Sequence, residues 1–337
     1  MALVPSEFHF FAYVCKEQIA SSAFYCIVSV AAPLHCPCFH LAVAQMVPVK
    51  ILRYSGLTTL LAMATNYPTL VTYLHREVMM KLLIAIPALN EEASIEDIIQ
   101  RCFEAKDEII GKSHITEVDI TVVSDGSTDR TNELAHRHTD KIQLVVFEKN
   151  RGYGAAIQHA WQNSDADLLA FLDADGTCDP RFFADLARAL RDEHADVVLG
   201  CRLHSETKMP LLRQTGNLLF AGLLTLLSGR RIRDTASGMR VVRREAYDKL
   251  RPLPNGLHFT PAMSARALLD REARTKLIEV CMPYHERVGD SKLKAGRDGM
   301  RFLGVITKAA IMYRPIRLAT VLLTTGAITL GVSLIFF

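Results

Sequence analysis

The chain has 337 residues, 50% of them hydrophobic, and a formal net charge of +3 at pH 7. This length allows one large domain with appendages or two small domains. The basic residues are spread along the chain and show no zinc-finger spacing, which argues against a nucleic-acid-binding protein. The cysteines include no Cys-x-x-Cys pair, so neither a zinc site nor a redox dithiol is predicted, and reduced thiols in a cytosol-facing protein are favoured.

Residues 1–79 differ in composition from the rest of the chain. The stretch Gln18–Val49 has no Lys, Arg, Asp or Glu and is interrupted by prolines. It lacks the basic start and clean apolar core of a signal peptide. We predict a poorly ordered N-terminal extension that does not belong to the following fold, with a weak membrane segment at Tyr54–Leu74 as the alternative.

From residue 80 onward, strand and helix patterns alternate. The apolar run Lys81–Pro87 predicts a buried strand, and Ile95, Ile98, Ile99 and Phe103 then recur at helical spacing. The later strands are predicted at "VDITVV", "IQLVVFE", "DLLAFLD" and "ADVVLGCR", and the later helices at "TDRTNELAHRH", "GAAIQHAWQN" and "PRFFADLARALRD". This alternation predicts an α/β fold with a mainly parallel sheet and helices on both faces. In such folds, ligands bind beyond the carboxyl ends of the strands.

Two aspartates, Asp173 and Asp175, end the apolar run in "LLAFLDADGTCDP". Residues two apart on an extended chain point to the same side, so these carboxylates repel each other unless a cation separates them or one is protonated. Carboxylates suit Mg²⁺ or Mn²⁺, which also bind substrate phosphates and can stabilise a diphosphate leaving group. The alternative is a loop of solvated acids that caps the next helix.

Asp125 and a glycine-rich segment follow two other predicted strands. In "SDGSTD", turn and capping chemistry explains Gly126, Ser127 and Thr128, whereas Asp125 is free to accept hydrogen bonds from a nucleobase or ribose. The segment "NRGYGAA" is not a dinucleotide fingerprint, because Ile157 stands at the third glycine position. Its glycines instead favour close approach of the backbone to a ligand or a neighbouring strand.

Together these segments resemble the family-2 glycosyltransferases with the GT-A fold, and within them the polyprenol-phosphate or dolichol-phosphate mannose and glucose synthases. The resemblance covers residues 82–337. The motifs that carry it are, in order, "IPALNEE", "VVSDGSTDRT", "NRGYGAAIQHA", "FLDADGTCDP", "DTASGMRVVRREA" and "ERVGDSKL".

The resemblance implies a role for each matching residue. Those bordering the donor nucleotide are Pro87, Leu89, Glu91 and, at the base, Asp125. Those implied at the metal are Asp173, Asp175 and Thr177. Those facing the phosphates or the acceptor are Arg202, Arg213, Ser237, Gly238, Arg240, Arg287, Ser291 and Lys292. Three departures from the family pattern are Ser124 in place of the first Asp of Asp-Asp-Gly-Ser, Thr177 where a Gln often helps to hold the metal, and an N-terminal region without a counterpart.

The C-terminal region predicts a membrane attachment. Residues 318–337 carry no charge, which matches the roughly 20 residues of a transmembrane helix. Lys308, Arg314 and Arg317 precede this stretch and favour a cytoplasmic location for the preceding domain. A buried C-terminal helix is the alternative. Gln214–Gly229 predicts either an interfacial helix with basic edges or a core helix.

We therefore divide the chain into an N-terminal extension (1–79), a GT-A domain (80–293), an amphipathic interfacial helix (294–316) and a transmembrane helix (317–337). The predicted activity is metal-dependent, inverting transfer of a hexose from GDP-mannose or UDP-glucose to polyprenyl phosphate. A phosphate monoester is already ionised near neutral pH, so this acceptor needs cations rather than a strong base.

Two alternatives stay open. The same fold is able to transfer sugar to a lipid or glycan hydroxyl, for which Asp234 is the candidate base. Processive polysaccharide synthases carry Gln-x-x-Arg-Trp, whereas the single Trp here, Trp161, lies in an earlier predicted helix. The second alternative is a non-catalytic, membrane-anchored protein that binds nucleotide sugars.

Overall fold

The computed structural model describes residues 80–203, 211–285, 287, 292 and 295–336, with four two-residue strands nearer the N-terminus. The chain forms two compact units, Met1–Tyr73 and Leu74–Phe337. The strands of the first unit pair antiparallel, Phe11–Ala12 with Val28–Ser29 and Tyr25–Cys26 with Val47–Pro48. The predictions for Ser291 and for the remainder of residues 1–79 lie outside the described residues.

The second unit contains the predicted alternation of strands and helices. Its strands are β1 (Met80–Ala88), β2 (Ile115–Asp125), β3 (Gln143–Phe147), β4 (Leu168–Leu172), β5 (Val197–Cys201), β6 (Met239–Arg243) and β7 (Leu277–Cys281). Its helices are α1 (Ile95–Lys112), α2 (Thr131–His136), α3 (Tyr153–Gln162), α4 (Phe183–Asp192), α5 (Leu211–Ser228), α6 (Arg244–Leu250), α7 (Phe259–Leu269), α8 (Ala295–Tyr313) and α9 (Pro315–Phe336), with a short 3₁₀ turn at Pro180–Phe182.

The seven strands form one sheet in the order β7-β5-β6-β4-β1-β2-β3. Neighbouring strands are parallel except for β6, which runs antiparallel to both β4 and β5. The predicted α/β fold with a mostly parallel sheet is confirmed. Strands β6 and β7 were not predicted, because both are short and carry charged residues that interrupt an apolar pattern.

Each face of the sheet contributes to a separate core. Alternate residues of β1 point to opposite faces, so Leu82 and Ile84 pack with Ile95 of α1, whereas Leu83 packs with Trp161 of α3. Trp161 is fully buried, and its indole N–H donates to the carbonyl of Ala170 on β4 at 2.9 Å. This double-sided packing fixes the strand ends that carry the polar motifs.

The helices near the C-terminus combine buried and exposed apolar faces. In α5, Leu224 and Leu227 are buried, whereas Leu219 is 69% exposed. In α8, Ile306 is buried, whereas Met300 is 69% exposed. Helix α5 thus has the buried face expected of a core helix and also the exposed apolar face expected of an interfacial helix.

Helix α9 is the one helix among the described residues that is long and apolar enough to cross a membrane. The window that meets this criterion is Pro315–Ser333, and none of it is buried against the rest of the chain. The alternative of a buried C-terminal helix is therefore wrong for this segment.

Candidate functional site

A cavity of about 490 Å³ lies at the carboxyl ends of β1, β2 and β4. Its volume falls in the range of small-molecule sites, about 300–1,000 Å³. One wall, which we call the strand wall, consists of residues at and just beyond these strand ends and at the start of α3. The opposite wall, which we call the helical wall, comes from α5, α7 and α8. The predicted residues that line the cavity are Pro87, Leu89, Glu91, Asp125, Asp173, Asp175, Arg202, Arg213, Arg287 and Lys292.

Asp173 follows β4 directly and is held by two neighbours. Its backbone N–H donates to the carbonyl of Gly238 at 3.1 Å, and the Tyr153 hydroxyl donates to its Oδ1 at 2.6 Å. Burial, together with the negative charge of Asp175, raises the pKa of Asp173 to about 7. A Cβ on Gly238 would lie 1.8 Å from Asp173 Oδ2, so only glycine leaves room for this carboxylate. Gly238 supports Asp173 and does not itself line the cavity.

Asp175 is held by Thr177 on one side and by Arg287 on the other. Both the backbone N–H of Thr177, at 3.1 Å, and its hydroxyl, at 2.7 Å, donate to Asp175 Oδ1. Arg287 donates to Asp175 Oδ2 at 3.0 Å. Thr177 is 2% exposed and lies behind Asp175 rather than in the cavity wall. This differs from the predicted ligand role, because the hydroxyl of Thr177 is directed to a carboxylate and not to the cavity.

Glu91, which lies shortly before α1, forms ion pairs with two of the predicted cations. Lys292 forms an ion pair with Glu91 Oε1 and donates to the carbonyl of Asn90 at 3.0 Å. Arg287 lies 3.5 Å from the same carboxylate. Burial raises the pKa of Glu91 above its usual value despite these two cations. Two carboxylates of the cavity, Glu91 and Asp175, are therefore already paired with the cations Arg287 and Lys292.

Asp125 ends β2 and accepts hydrogen bonds from the following glycine-rich segment. Its carboxylate binds the backbone N–H groups of Arg151, at 2.6 Å, and Gly152, at 2.9 Å. Gly152 has a φ of 106°, and a Cβ there would lie 2.4 Å from the carbonyl oxygen of Asn255. Asp125 thus holds the start of α3, which carries Tyr153, and burial raises the pKa of Asp125. A role in base recognition stays a prediction.

Arg202 and Asp234 form a buried bidentate ion pair. The Nε and Nη2 groups of Arg202 donate to the two carboxylate oxygens at 2.8 and 3.0 Å, and its backbone N–H donates at 3.1 Å. Asn217 of α5 donates to the same carboxylate at 2.7 Å. Asp234 has no exposed surface, and although burial acts in the opposite direction, Arg202 lowers the pKa of Asp234. Arg202 lines the cavity, whereas Asp234 lies behind it.

Ser237 and Arg240 also lie away from the cavity. Both are fully buried, and the Ser237 hydroxyl donates to the carbonyl of Gly200 at 2.6 Å. The guanidinium of Arg240 donates to the carbonyl of Thr235 at 2.7 Å and to the hydroxyl of Ser264 at 2.9 Å. Burial lowers the pKa of Arg240 to about 10. Both residues shape the loop that carries Gly238, which differs from the predicted position at the acceptor.

Several cavity residues were not predicted as site residues. Tyr153 contacts Asp173, and Arg301 of α8 lines the helical wall beside Phe302. Gly216 and Phe220 line the same wall from α5. The signal for Tyr153 was its place just after the turn glycine of "NRGYG". The others lay in stretches that were interpreted as interfacial or core helices and not as parts of the site.

The carboxylates of Asp173 and Asp175 are suitable ligands for a divalent cation. They face one cavity, and burial together with the negative charge of Asp175 raises the pKa of Asp173 to about 7, an effect that a cation between the carboxylates would offset. Among the described residues, no cluster of three or more His, Cys, Asp or Glu side chains is able to hold a metal. A bound ion would therefore take further oxygen ligands from substrate phosphates and water, as Mg²⁺ commonly does.

Comparison with known proteins gives three findings. Residues 83–251 match the model of the glycosyl transferase family 2. The chain is 31% identical over 223 residues to the low-salt glycan biosynthesis hexosyltransferase Agl6 of Haloferax volcanii, an alignment covering 65% of this chain and 51% of that protein. It is 29% identical over 235 residues to the dolichyl-phosphate hexose transferase of the same organism, covering 69% of this chain and 95% of that protein.

A similarity to solved structures concerns the fold. The glucosyl-3-phosphoglycerate synthase of Mycobacterium tuberculosis superimposes with a TM-score of 0.54 and 20% identity, over 68% of this chain and 80% of that chain. This similarity, together with the mostly parallel sheet, confirms the GT-A fold.

Proposed function

This chain belongs to the glycosyl transferase family 2, and from that premise we propose that it moves a hexose from a nucleoside diphosphate sugar to polyprenyl phosphate. The observation that carries the proposal is the cavity, in which the Asp173 and Asp175 carboxylates face a set of cations. The name of the dolichyl-phosphate hexose transferase, which aligns over 95% of its length, supports this acceptor. GDP-mannose and UDP-glucose are the proposed donors.

The strand wall would bind the donor. Pro87 and Leu89 provide an apolar surface beside the nucleotide, and Asp125 lies at the same wall with a carboxylate able to accept a hydrogen bond from the base. Asp173 and Asp175 would hold Mg²⁺ or Mn²⁺, which when bound would neutralise charge on the diphosphate leaving group. Tyr153 and Thr177 keep these two carboxylates oriented.

The acceptor phosphate would lie among the cations that line the cavity. Arg202, Arg213, Arg287 and Lys292 all line the cavity, and Arg301 joins them from α8. An anionic nucleophile and an anionic donor repel each other, and this repulsion opposes the reaction. The positive charges of these side chains would offset it and bring the two anions together. The phosphate oxygen would attack the anomeric carbon, the bond to the diphosphate would break, and the configuration would invert. No proton has to be removed, because the phosphate monoester is ionised near neutral pH.

The geometry of Asp234 supports a phosphate acceptor over a hydroxyl acceptor. A general base has to reach the proton that it removes. The carboxylate of Asp234 has no exposed surface and accepts hydrogen bonds from Arg202 and Asn217. We assign it the role of orienting Arg202.

We also propose that the chain acts at the cytoplasmic face of a membrane. Helix α9 has the length and composition of a membrane span, and the amphipathic segment 294–316 precedes it. Lys308, Arg314 and Arg317 would lie on the cytoplasmic side by the positive-inside rule. A lipid acceptor would then reach the cavity from the bilayer surface.

The test uses membranes that contain this chain and matched membranes that contain Asp175→Asn. Each receives labelled GDP-mannose, UDP-glucose or UDP-N-acetylglucosamine with Mg²⁺ or Mn²⁺ and polyprenyl phosphate. We expect label in a mild-acid-labile lipid with the unchanged chain alone, and the active donor identifies the sugar. An acid-stable glycolipid would instead support a hydroxyl acceptor, and no lipid product from any donor, beside an active reference synthase, would support the non-catalytic alternative.

A further inference from the structure

The two walls of the cavity contain glycines of different kinds. In the strand wall, Gly152 is required because a Cβ would meet a carbonyl oxygen at 2.4 Å. In the helical wall, a Cβ on Gly216 would have no atom of the described chain within 4 Å, and a Cβ on Gly299 would lie 3.9 Å from the Phe220 ring. Gly216 and Gly299 lie inside helices, not among the positive-φ glycines. The fold therefore requires glycine at neither position.

Glycine inside a helix is less favourable than alanine, because it loses more backbone freedom on folding. Gly216 and Gly299 nevertheless occupy the interiors of α5 and α8, and both line the cavity. Each keeps open a volume that any other side chain would fill. Among the helical glycines with open space beside them, Gly216 and Gly299 are distinguished by lining the cavity.

The surroundings of these glycines combine cations with apolar rings. Arg213 and Phe220 lie three and four residues from Gly216, on the same face of α5. The rings of Phe220 and Phe302 meet between α5 and α8 with centroids 5.9 Å apart. Residues just outside the cavity on both helices are exposed and apolar, with Leu219 and Met300 each 69% exposed. Along α5, the order from a cation through open space to an apolar ring matches an amphiphile with an anionic head.

We propose that Gly216 and Gly299 determine which lipid phosphates are accepted, by forming a slot for the methyl-branched first units of an isoprenoid chain. This proposal rests on the proposed function and assigns the residues that select its acceptor. The phosphate lies toward Arg213 and Arg301, and the first isoprene units lie between the two glycines and the two phenylalanine rings. A methyl branch makes the start of an isoprenoid wider than a linear alkyl chain. A methyl group added at 216 or 299 therefore excludes the branched chain more than the linear one.

The test compares the full chain in detergent micelles with Gly216→Ala, Gly299→Ala and the double variant. Equilibrium titration measures binding of farnesyl monophosphate, dodecyl monophosphate, inorganic phosphate, and UDP or GDP. Gly222→Ala is the matched control, because Gly222 lies in the same helix with equally open space but outside the cavity. Alanine favours the helix, so melting temperatures at or above that of the unchanged chain will report intact folding.

We expect the double variant to bind farnesyl monophosphate at least about fivefold more weakly, the effect of modest overpacking. Dodecyl monophosphate and nucleotide binding stay unchanged, as does every affinity in Gly222→Ala. The slot proposal is overturned if the double variant binds farnesyl monophosphate as tightly as the unchanged chain, or if it loses affinity for dodecyl monophosphate to the same extent. It is also overturned if the unchanged chain does not bind farnesyl monophosphate. If the unchanged chain binds farnesyl monophosphate selectively, the variants weaken it as expected, and no sugar is transferred, the proposed function fails while the slot stands. If sugar is transferred but the variants bind farnesyl monophosphate as tightly as the unchanged chain, the proposed function stands and the slot proposal fails.

Discussion

The strand wall and the helical wall of the cavity are held by different kinds of interaction. In the strand wall, each carboxylate has a specific hydrogen-bond donor, as Asp173 has in Tyr153 and Asp175 has in Thr177. In the helical wall, α5 and α8 meet through apolar contacts such as that of Phe220 with Phe302. Charged groups that act on a diphosphate need fixed positions, whereas a surface that receives a flexible lipid chain needs only a suitable shape.

Asp234 joins the helical wall to the end of β5. It binds Arg202, which lies next to β5, and Asn217, which belongs to α5. The Asn217 side chain also accepts a hydrogen bond from the backbone N–H of Thr235 at 3.1 Å. Changes at this junction should therefore affect both the fold and the position of Arg202, whereas changes within one wall should have smaller effects.

The largest effect is expected for Asp234→Ala. Removing this carboxylate leaves Arg202 buried without its partner, which costs about 3–5 kcal/mol for a buried ion pair. Denaturant unfolding measures the loss, and Asp185→Ala, which removes an exposed ion pair, serves as the control with a much smaller effect. If Asp234→Ala were as stable as the Asp185→Ala control, the ion pair with Arg202 would not contribute to the fold as expected.

In the strand wall, Gly238→Ala should reduce transfer by about 100-fold, because displacement of a reactive group by about 1 Å has this effect. The added methyl would meet Asp173 Oδ2 at 1.8 Å and push the carboxylate away. Initial rates measure the loss, and Gly222→Ala should keep the full rate. A fully active Gly238→Ala would mean that the position of Asp173 is not critical.

Tyr153→Phe should reduce transfer by about tenfold, which corresponds to one hydrogen bond to a charged group, about 1.5 kcal/mol. The change leaves the ring in place and removes the donor to Asp173 Oδ1. Because Asp173 is then less well oriented, half-maximal activity should require more Mn²⁺. Tyr247→Phe is the control, since its hydroxyl pairs with Gln162 outside the cavity. An equal loss in both variants would point to a general effect on packing.

The smallest effect belongs to the helical wall. Gly216→Ala should raise the free energy of unfolding by about 0.5–1 kcal/mol, the usual gain for alanine in a helix. Thermal unfolding measures the change, and Gly222→Ala should give a similar gain. A loss of stability would mean that the space beside Gly216 is filled in the folded protein.

The sequence predicted the strand wall better than the helical wall. Asp125, Asp173 and Asp175 were assigned to strand ends, because an apolar run that stops abruptly at a carboxylate is typical of a buried strand reaching the edge of its sheet. The pairing of Asp173 with Tyr153 was not predictable, because it depends on how α3 and the loop after β4 meet in space.

Arg240 and Phe103 show two other limits. Arg240 lies in an unpredicted antiparallel strand, and its partners Thr235 and Ser264 come from a loop and from α7. No local pattern distinguishes such a buried arginine from one that faces a ligand. The apolar spacing placed Phe103 on the buried face of α1, but Phe103 is 39% exposed, whereas its neighbour Cys102 is buried. The buried face of the helix is therefore narrower than the set of apolar residues.

The ion pairs of Arg287 and Lys292 bear on how each cycle of the reaction would end. Arg287 forms an ion pair with Asp175, and Lys292 forms one with Glu91. A spent nucleoside diphosphate would have to compete with these carboxylates for the same cations. Re-formation of these two ion pairs would therefore favour release of the product. The pairs would also lower the affinity of the cavity for other anions. The resting charge balance would thus limit product inhibition and hasten turnover.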